Sequence, residues 1–123
     1  MEFEFKRDML HNTIKSQFSM GHEAVGIWLE QEINMDLAGI SRLLTQIQLL
    51  QTQALEQLEF LGAEFSLFLN QEEAKVIANI LLSDHDELPE DMSFYDEESL
   101  ALCGLEDFEQ MLLSYQRFIQ KGY

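Results

Sequence analysis

Two groups of residues in this sequence carry donor atoms of the kinds that bind metal ions. The first group is the adjacent pair His22 and Glu23. The second group lies in the segment with the only proline, and it consists of Asp84, His85, Asp86 and Glu87. Imidazole and carboxylate groups are common ligands of zinc, manganese and magnesium. The two groups together define a candidate metal site.

The spacing of these residues departs from the established metal-binding motifs. A helical HExxH pair needs a second histidine three residues after the glutamate, but Gly26 stands at that distance from Glu23. The segment from Asp84 to Glu87 lacks the glycine and the terminal glutamate of a calcium-binding loop. We therefore expect a solvated acidic loop that collects divalent cations weakly. A metal-dependent enzyme or metal-binding protein that uses these residues is the alternative function.

Other reaction chemistry has less support in the sequence. Cys103 is the only cysteine, which excludes an internal disulfide and is typical of a reducing compartment. No basic residue lies near it in the sequence to activate its thiol, so a small buried side chain is the simpler interpretation. The sequence has no glycine-rich phosphate loop, and neighbouring carboxylates are expected where acidic residues are this frequent. We expect a protein that is not an enzyme and has no cofactor.

The net charge narrows the class of partner. The chain has 23 Asp and Glu against 7 Lys and Arg, and its formal net charge is -16. Eleven of the carboxylates fall between Val76 and Gln116, a stretch without Lys or Arg. Such a surface repels nucleic acid phosphates and anionic lipid headgroups, and it attracts basic proteins. We expect a basic protein surface as partner, such as one in the machinery that handles nucleic acid, and no direct binding to nucleic acid or membrane.

The segment from residue 92 to 98 interleaves aromatic and acidic side chains and is the candidate partner-binding site. Its members are Phe94, Tyr95, Asp96, Glu97 and Glu98. Aromatic side chains are frequent anchors in protein interfaces, and carboxylates can pair with Lys or Arg of a basic partner. The alternative is that the two rings fasten the segment to the core while the acids face water.

Alternation of apolar and polar residues predicts two antiparallel hairpins. The first has strands at residues 2 to 8, where Phe3 and Phe5 alternate with charged residues, and at residues 13 to 19, where Ile14, Ser16 and Phe18 alternate with polar residues. The second has strands at residues 63 to 70 and 74 to 81. The polar segment from residue 83 to 91 follows as a surface loop.

Apolar residues at steps of three and four predict helices between and after the hairpins. The first stripe is Ile33, Leu37, Ile40, Leu44, Ile47, Ala54 and Leu58. It favours one bent helix or two helices from about residue 22 to 57, because Gly26, Asn34 and Gly39 interrupt the region. The second stripe runs from Leu105 to Ile119 and predicts a C-terminal helix. A short helix from Asp96 to Leu102, stopped at Gly104, is predicted before it.

The central helix region has apolar residues beyond one stripe. These additional residues are Leu43, Leu49, Leu50 and Leu55. Apolar coverage of this width indicates a helix that is either buried within the domain or shared with a second copy of the chain. The sequence therefore leaves open whether the protein forms a homodimer.

Several stretches of the sequence carry a family resemblance. They are Phe3 to Asp8, Ser19 to Gly26 with Trp28, Glu72 to Val76 with Ala78 and Asn79, and Phe94 to Gly104 with Glu106, Asp107 and Phe108. In these stretches the chain resembles the YacL family, small acidic bacterial proteins of unassigned function. The resemblance implies a bacterial cytoplasmic protein. It transfers no catalytic or binding residue.

The sequence thus predicts one acidic α+β domain over residues 1–123. Two antiparallel hairpins, a long central helix region between them and a C-terminal helix packed on the sheet form its architecture. The acidic N-terminus lacks the features of a signal peptide, in agreement with a cytoplasmic location. The predicted function is a non-catalytic acidic interaction module that binds a basic surface of another protein.

Overall fold

A computed structural model describes residues 1–10, 13–80 and 99–121. It has the predicted α+β fold, with a two-stranded sheet, a four-stranded antiparallel sheet and helices that contact both. The strands are β1 (Phe3–Asp8), β2 (Thr13–Phe18), β3 (Gln57–Leu61), β4 (Phe65–Asn70), β5 (Glu73–Ala78) and β6 (Leu100–Gly104). The helices are α1 (Glu23–Trp28), which continues into a π-helical turn (Leu29–Ile33), α2 (Leu37–Gln51) and α3 (Leu105–Lys121).

Strands β1 and β2 form the first predicted hairpin. Their register pairs Phe3 with Phe18, and Phe5 lies on the same face. The centroids of these three rings are 5.4 to 6.3 Å apart. The ring of Phe5 is also 5.2 Å from the ring of Tyr115 in the C-terminal half of α3. Aromatic contacts therefore fix the hairpin against the end of the C-terminal helix.

Strands β4 and β5 form the second predicted hairpin, at the centre of the four-stranded sheet. The order of strands is β3-β4-β5-β6, and each neighbouring pair is antiparallel. Alternate residues of the central strands are buried in the core: Phe65, Leu67, Leu69, Ala74, Val76 and Ala78. This burial on one face accounts for the period of two in the sequence.

Two strands that were not predicted add to the sheet, one on each side of this hairpin. Strand β3 occupies a stretch that the helical stripe included as far as Leu58. In β3, Leu58 and Phe60 are partly buried and their neighbours are exposed, so the strand has only two inward residues. Leu58 happens to lie four residues after Ala54, which extends the helical pattern by one coincidental match.

The short helix predicted before Gly104 is replaced by strand β6 over the residues that the structure describes. Leu100 pairs with Ile77, and Gly104 pairs with Glu73. A short apolar run fits a helix or a strand equally well by periodicity, and pairing with β5 decides the outcome. Gly104 ends the strand immediately before α3 begins.

The central helix region contains two helices, one of the two alternatives left open by the sequence. The π-helical turn after α1 ends at Ile33 and is followed by Asn34 and Met35, whose φ angles are 47° and 64°. Helix α2 then ends at Gln51, six residues before the predicted limit, and Gln53 has a φ of 65°. Positive φ is uncommon outside glycine, so neither break carries a reliable sequence signal.

Helices α2 and α3 pack against each other and complete the core. The buried residues of α2 are Ile40, Leu43, Leu44, Ile47 and Leu50, and those of α3 are Leu105, Phe108, Met111, Leu112 and Tyr115. Leu43 and Leu50, which suggested a second apolar face, are therefore buried within the chain. A homodimer stays a prediction, and the burial of these two residues removes part of the support for it.

Candidate interaction site

His22 and Glu23, the two described members of the candidate metal site, both make local structural contacts. The His22 Nε2 atom is 3.0 Å from the carbonyl oxygen of Leu102 in β6. The Glu23 carboxylate accepts a hydrogen bond of 2.8 Å from the backbone N–H of Gly21, which has a φ of 92°. These contacts join the start of α1 to the preceding turn and to the edge of the sheet. Among the described residues, no group of three or more His, Cys, Asp or Glu could hold a metal ion.

The remaining candidate residues lie outside the described residues. They are Asp84, His85, Asp86 and Glu87 of the metal site, and Phe94, Tyr95, Asp96, Glu97 and Glu98 of the partner-binding segment. Both sets stay predictions.

Cys103 has the environment of a structural residue. Burial, with a smaller contribution from the nearby carboxylate of Asp107, raises the pKa of its thiol from 9.0 to about 11. The thiol is therefore protonated at neutral pH, and a nucleophile must be a thiolate. Cys103 packs against the core on the inner side of β6.

An acidic groove lies where α2 ends, β4 turns into β5 and α3 begins. It has a volume of about 840 Å³. Its charged and amide side chains are Glu72, Glu106, Asp107, Glu109, Gln51, Gln71 and Gln110. None of the lining residues is Lys or Arg. Among the residues that the structure describes, the groove thus presents four carboxylates and no Lys or Arg.

Hydrogen bonds fix the three walls of the acidic groove. The backbone N–H of Leu105 donates to the carbonyl oxygen of Glu72 at 3.0 Å. The side-chain amide of Gln51 donates to the Glu109 carboxylate at 3.1 Å. Asn70 Oδ1 accepts from the backbone N–H of Glu72 at 2.8 Å and orders the turn. The carboxylates are therefore carried by a preorganised backbone.

A second cavity, the edge groove, lies between β3 and α2. Its volume is about 450 Å³. The apolar part of its lining is formed by Trp28, Ile33, Leu43, Phe60 and Leu61. Its charged lining residues are Glu32, Asp36 and Arg42. This groove joins an apolar surface to the open edge of the four-stranded sheet.

Glu32 holds the turn between β3 and β4 at the end of the edge groove. Its carboxylate accepts hydrogen bonds from the backbone N–H groups of Ala63, Glu64 and Phe65 at 3.0 to 3.2 Å. Glu32 lies in the π-helical turn, and π-helical turns redirect side chains away from the regular helical positions. This role has no sequence signal, because a glutamate two residues before an asparagine in a helical region forms no distinctive pattern.

Comparison with known proteins identifies the family. The profile described as "Uncharacterised protein family (UPF0231)" matches residues 1–119. The chain belongs to the UPF0231 family. The resemblance to the YacL family inferred from the sequence is thereby confirmed.

Several UPF0231 proteins are similar to this chain over nearly their full length. A UPF0231 protein of Shewanella baltica is 47% identical over 123 residues, which cover 99% of each chain. A UPF0231 protein of Edwardsiella ictaluri is 47% identical and covers 98% of this chain and 99% of its own. A UPF0231 protein of Proteus mirabilis is 44% identical and covers 97% and 95% respectively.

No solved structure matches the chain. Among the helices of the described residues, none combines the length and apolar character that crossing a membrane requires.

Proposed function

We propose that this UPF0231 protein is a non-catalytic acidic interaction module that binds a basic surface of another cytoplasmic protein. The observation that carries the proposal is the acidic groove, in which Glu72, Glu106, Asp107 and Glu109 line one cavity without a Lys or Arg. Lys or Arg side chains of a partner would supply the missing positive charge. The net charge of -16 supports the same sign of partner.

Electrostatic attraction favours encounter with such a partner over a distance set by salt screening. The Debye length is about 8 Å at physiological ionic strength, so carboxylates within one groove act together on an approaching cation. Proteins that bind nucleic acid display clustered Lys and Arg for phosphate contacts. A protein of that class is the partner we favour, and the module would bind it without touching the nucleic acid.

The segment from residue 92 to 98 is the second part of the proposed surface. Phe94 and Tyr95 would supply apolar anchors, and Asp96, Glu97 and Glu98 would add to the acidic field. In the sequence, the groove residues Glu106 and Asp107 follow this segment and are separated from it by β6. The acidic groove and the segment both carry negative charge, so both would attract the same basic surface.

Affinity capture with a paired charge variant tests the proposal. The test variant is Glu72→Gln with Glu109→Gln, since neither residue lies in the first turn of α3 and both are in the acidic groove. The control variant is Glu2→Gln with Glu4→Gln, which removes equal charge from the exposed face of β1 and the residue before it. Strand β1 contacts the opposite end of α3 through Phe5 and Tyr115.

Each tagged protein is exposed to nuclease-treated lysate of a bacterium that encodes it, and captured proteins are quantified by mass spectrometry. We expect the wild type and the control to retain one basic protein, and the test variant to retain about three- to tenfold less. Capture that depends on added nucleic acid, or equal capture by the two variants, would contradict the proposed function.

A further inference from the structure

Strand β3 is an open edge of the four-stranded sheet. It lies at the end of the strand order and is hydrogen bonded on one side to β4, from Gln57 opposite Asn70 to Leu61 opposite Ser66. In residues 1–10, 13–80 and 99–121, the backbone groups of β3 make no hydrogen bond outside this pairing. The strand also lacks the proline and lysine residues that commonly protect sheet edges.

The opposite edge of the sheet differs from β3. The carbonyl oxygen of Leu102 in β6 is already contacted by His22 Nε2 at 3.0 Å. Helix α1 also packs against β6. As far as the described part of the chain shows, pairing with another strand is therefore obstructed at β6 and open at β3.

The edge groove gives an added strand a place for its side chains. A strand paired with β3 would lie about 4.8 Å beyond it, and its side chains would alternate between the two faces of the sheet. On the inner face they would enter the edge groove, over Trp28, Leu43 and Phe60. Its volume of about 450 Å³ is sufficient for several apolar side chains.

The outer face beside β3 favours a basic residue on the added strand. Glu59 is exposed and points to that face, opposite Phe68 of β4. The nearest described cation of this row is Lys75 of β5, whose Nζ atom lies over the Phe68 ring, 5.2 Å from its centroid, and Phe68 stands between Lys75 and Glu59 in the row. A Lys or Arg beside Glu59 would therefore make a favourable cross-strand pair.

We propose that β3 binds an extended segment of the basic partner as a fifth strand, with alternating apolar and basic side chains. Its apolar residues would fill the edge groove, and its Lys or Arg residues would lie beside Glu59. The basic character of the segment rests on the proposed function, whereas the strand addition rests on the open edge and its groove. A second copy of this chain fits less well, because each copy carries a net charge of -16 and pairing centred on Glu59 would oppose two carboxylates.

A synthetic peptide provides a direct probe of this site. The probe is a peptide of alternating valine and lysine with blocked ends. Its matched control has the same sequence with N-methyl groups on alternate amides, which keeps the charge and removes the donors needed for strand pairing. Trp28 is the only tryptophan and lines the edge groove, so its fluorescence reports occupancy.

We expect the probe to change Trp28 fluorescence and to slow hydrogen exchange at alternate amides from Gln57 to Leu61 in β3. The methylated peptide should bind at least about tenfold more weakly, because several backbone hydrogen bonds are lost. Glu59→Lys should weaken binding of the probe, whereas Glu4→Lys, with the same charge change on the distant hairpin, should weaken it less.

Three results would overturn the strand addition. The first is no binding of the probe, and the second is equal binding of both peptides. The third is a dimer of the free protein, detected by sedimentation, in which the β3 amides are already protected from hydrogen exchange. Equal binding of both peptides would show attraction by charge alone. The proposed function is decided separately by the Glu72 and Glu109 variant, so the two proposals can fail independently.

Discussion

The Glu32 carboxylate accepts a hydrogen bond from the backbone N–H of Phe65 at 3.1 Å, and this contact ties the π-helical turn to the first residue of β4. Two further N–H groups, of Ala63 and Glu64, point at the same carboxylate. The turn between β3 and β4 is therefore held by a side chain from another element. The position of the edge strand and the shape of the edge groove depend on this clamp.

Replacement of Glu32 by glutamine should destabilise the protein. The amide of Glu32→Gln retains one acceptor oxygen and directs its NH₂ group at backbone N–H donors, so charge-assisted hydrogen bonds are lost. We expect the free energy of unfolding to fall by about 1 to 3 kcal/mol. Chemical denaturation measures the change.

Glu64→Gln is the matched control for this measurement. Glu64 is exposed, and only its backbone N–H takes part in the clamp. A change below about 0.5 kcal/mol is expected, as for other surface substitutions. Equal effects of the two variants would mean that the clamp contributes no more than general charge.

Cys103 should react slowly with alkylating reagents in the folded protein. Burial, with the carboxylate of Asp107, raises the pKa of its thiol from 9.0 to about 11. Two units of pKa correspond to about a hundredfold smaller thiolate fraction near pH 8. The measurement compares alkylation rates of native and denatured protein, and similar rates would contradict the burial of this thiol.

The raised pKa of Cys103 also gives the sign of a pH effect on stability. The unfolded chain loses the thiol proton near pH 9.0, whereas the folded protein keeps it until about pH 11. The contribution of Cys103 is therefore complete below pH 9.0 and is lost as the pH rises to about 11. Cys103→Ala should remove this part of the alkaline decline in unfolding free energy.

Added neutral salt should raise the midpoint of thermal unfolding at neutral pH. The net charge of -16 produces repulsion within the folded protein, and salt screens it. Differential scanning calorimetry at several concentrations of sodium chloride measures the effect. A flat or falling midpoint would indicate that a bound cation already neutralises the carboxylates.

The segment from residue 92 to 98 should separate the two roles of charged and aromatic residues in binding. Substitution of Asp96 by Asn and of Glu97 and Glu98 by Gln should mainly slow association with the captured partner. Phe94→Ala or Tyr95→Ala should mainly speed dissociation, with a loss of about 1 to 3 kcal/mol if the ring is an anchor. Surface plasmon resonance distinguishes the two effects. Unchanged rates in all variants would assign the segment to the solvated surface.

The sequence predicted the elements whose burial pattern is long and regular. Both hairpins and the C-terminal helix were found because Phe3, Phe5, Phe65 and Leu67 alternate and the α3 stripe spans several turns. Strands β3 and β6 were missed because each has only five residues. Strand β3 has only two inward residues, and the partner of β6 is β5, which lies far before it in the sequence. Strand pairing is a tertiary interaction that a short local pattern does not encode.

Prediction of the candidate sites from the sequence is limited in the same way, because a local pattern does not encode contacts between distant parts of the chain. The acidic character of the surface follows directly from composition. The acidic groove does not, because it unites Gln51 at the end of α2, Glu72 in the turn between β4 and β5, and Glu109 in α3. The Glu32 clamp depends on a π-helical turn, which has no reliable sequence signal.

The salt dependence of association with the captured partner tests the central claim most directly. Association rates are measured over a series of salt concentrations for the wild type, for Glu72→Gln with Glu109→Gln, and for Glu2→Gln with Glu4→Gln. If the acidic groove binds a basic surface, the rate of the wild type and the control should fall steeply with salt, and the groove variant should be slower at low salt with a flatter dependence. The same slope for all three proteins would contradict the assignment of binding to the acidic groove.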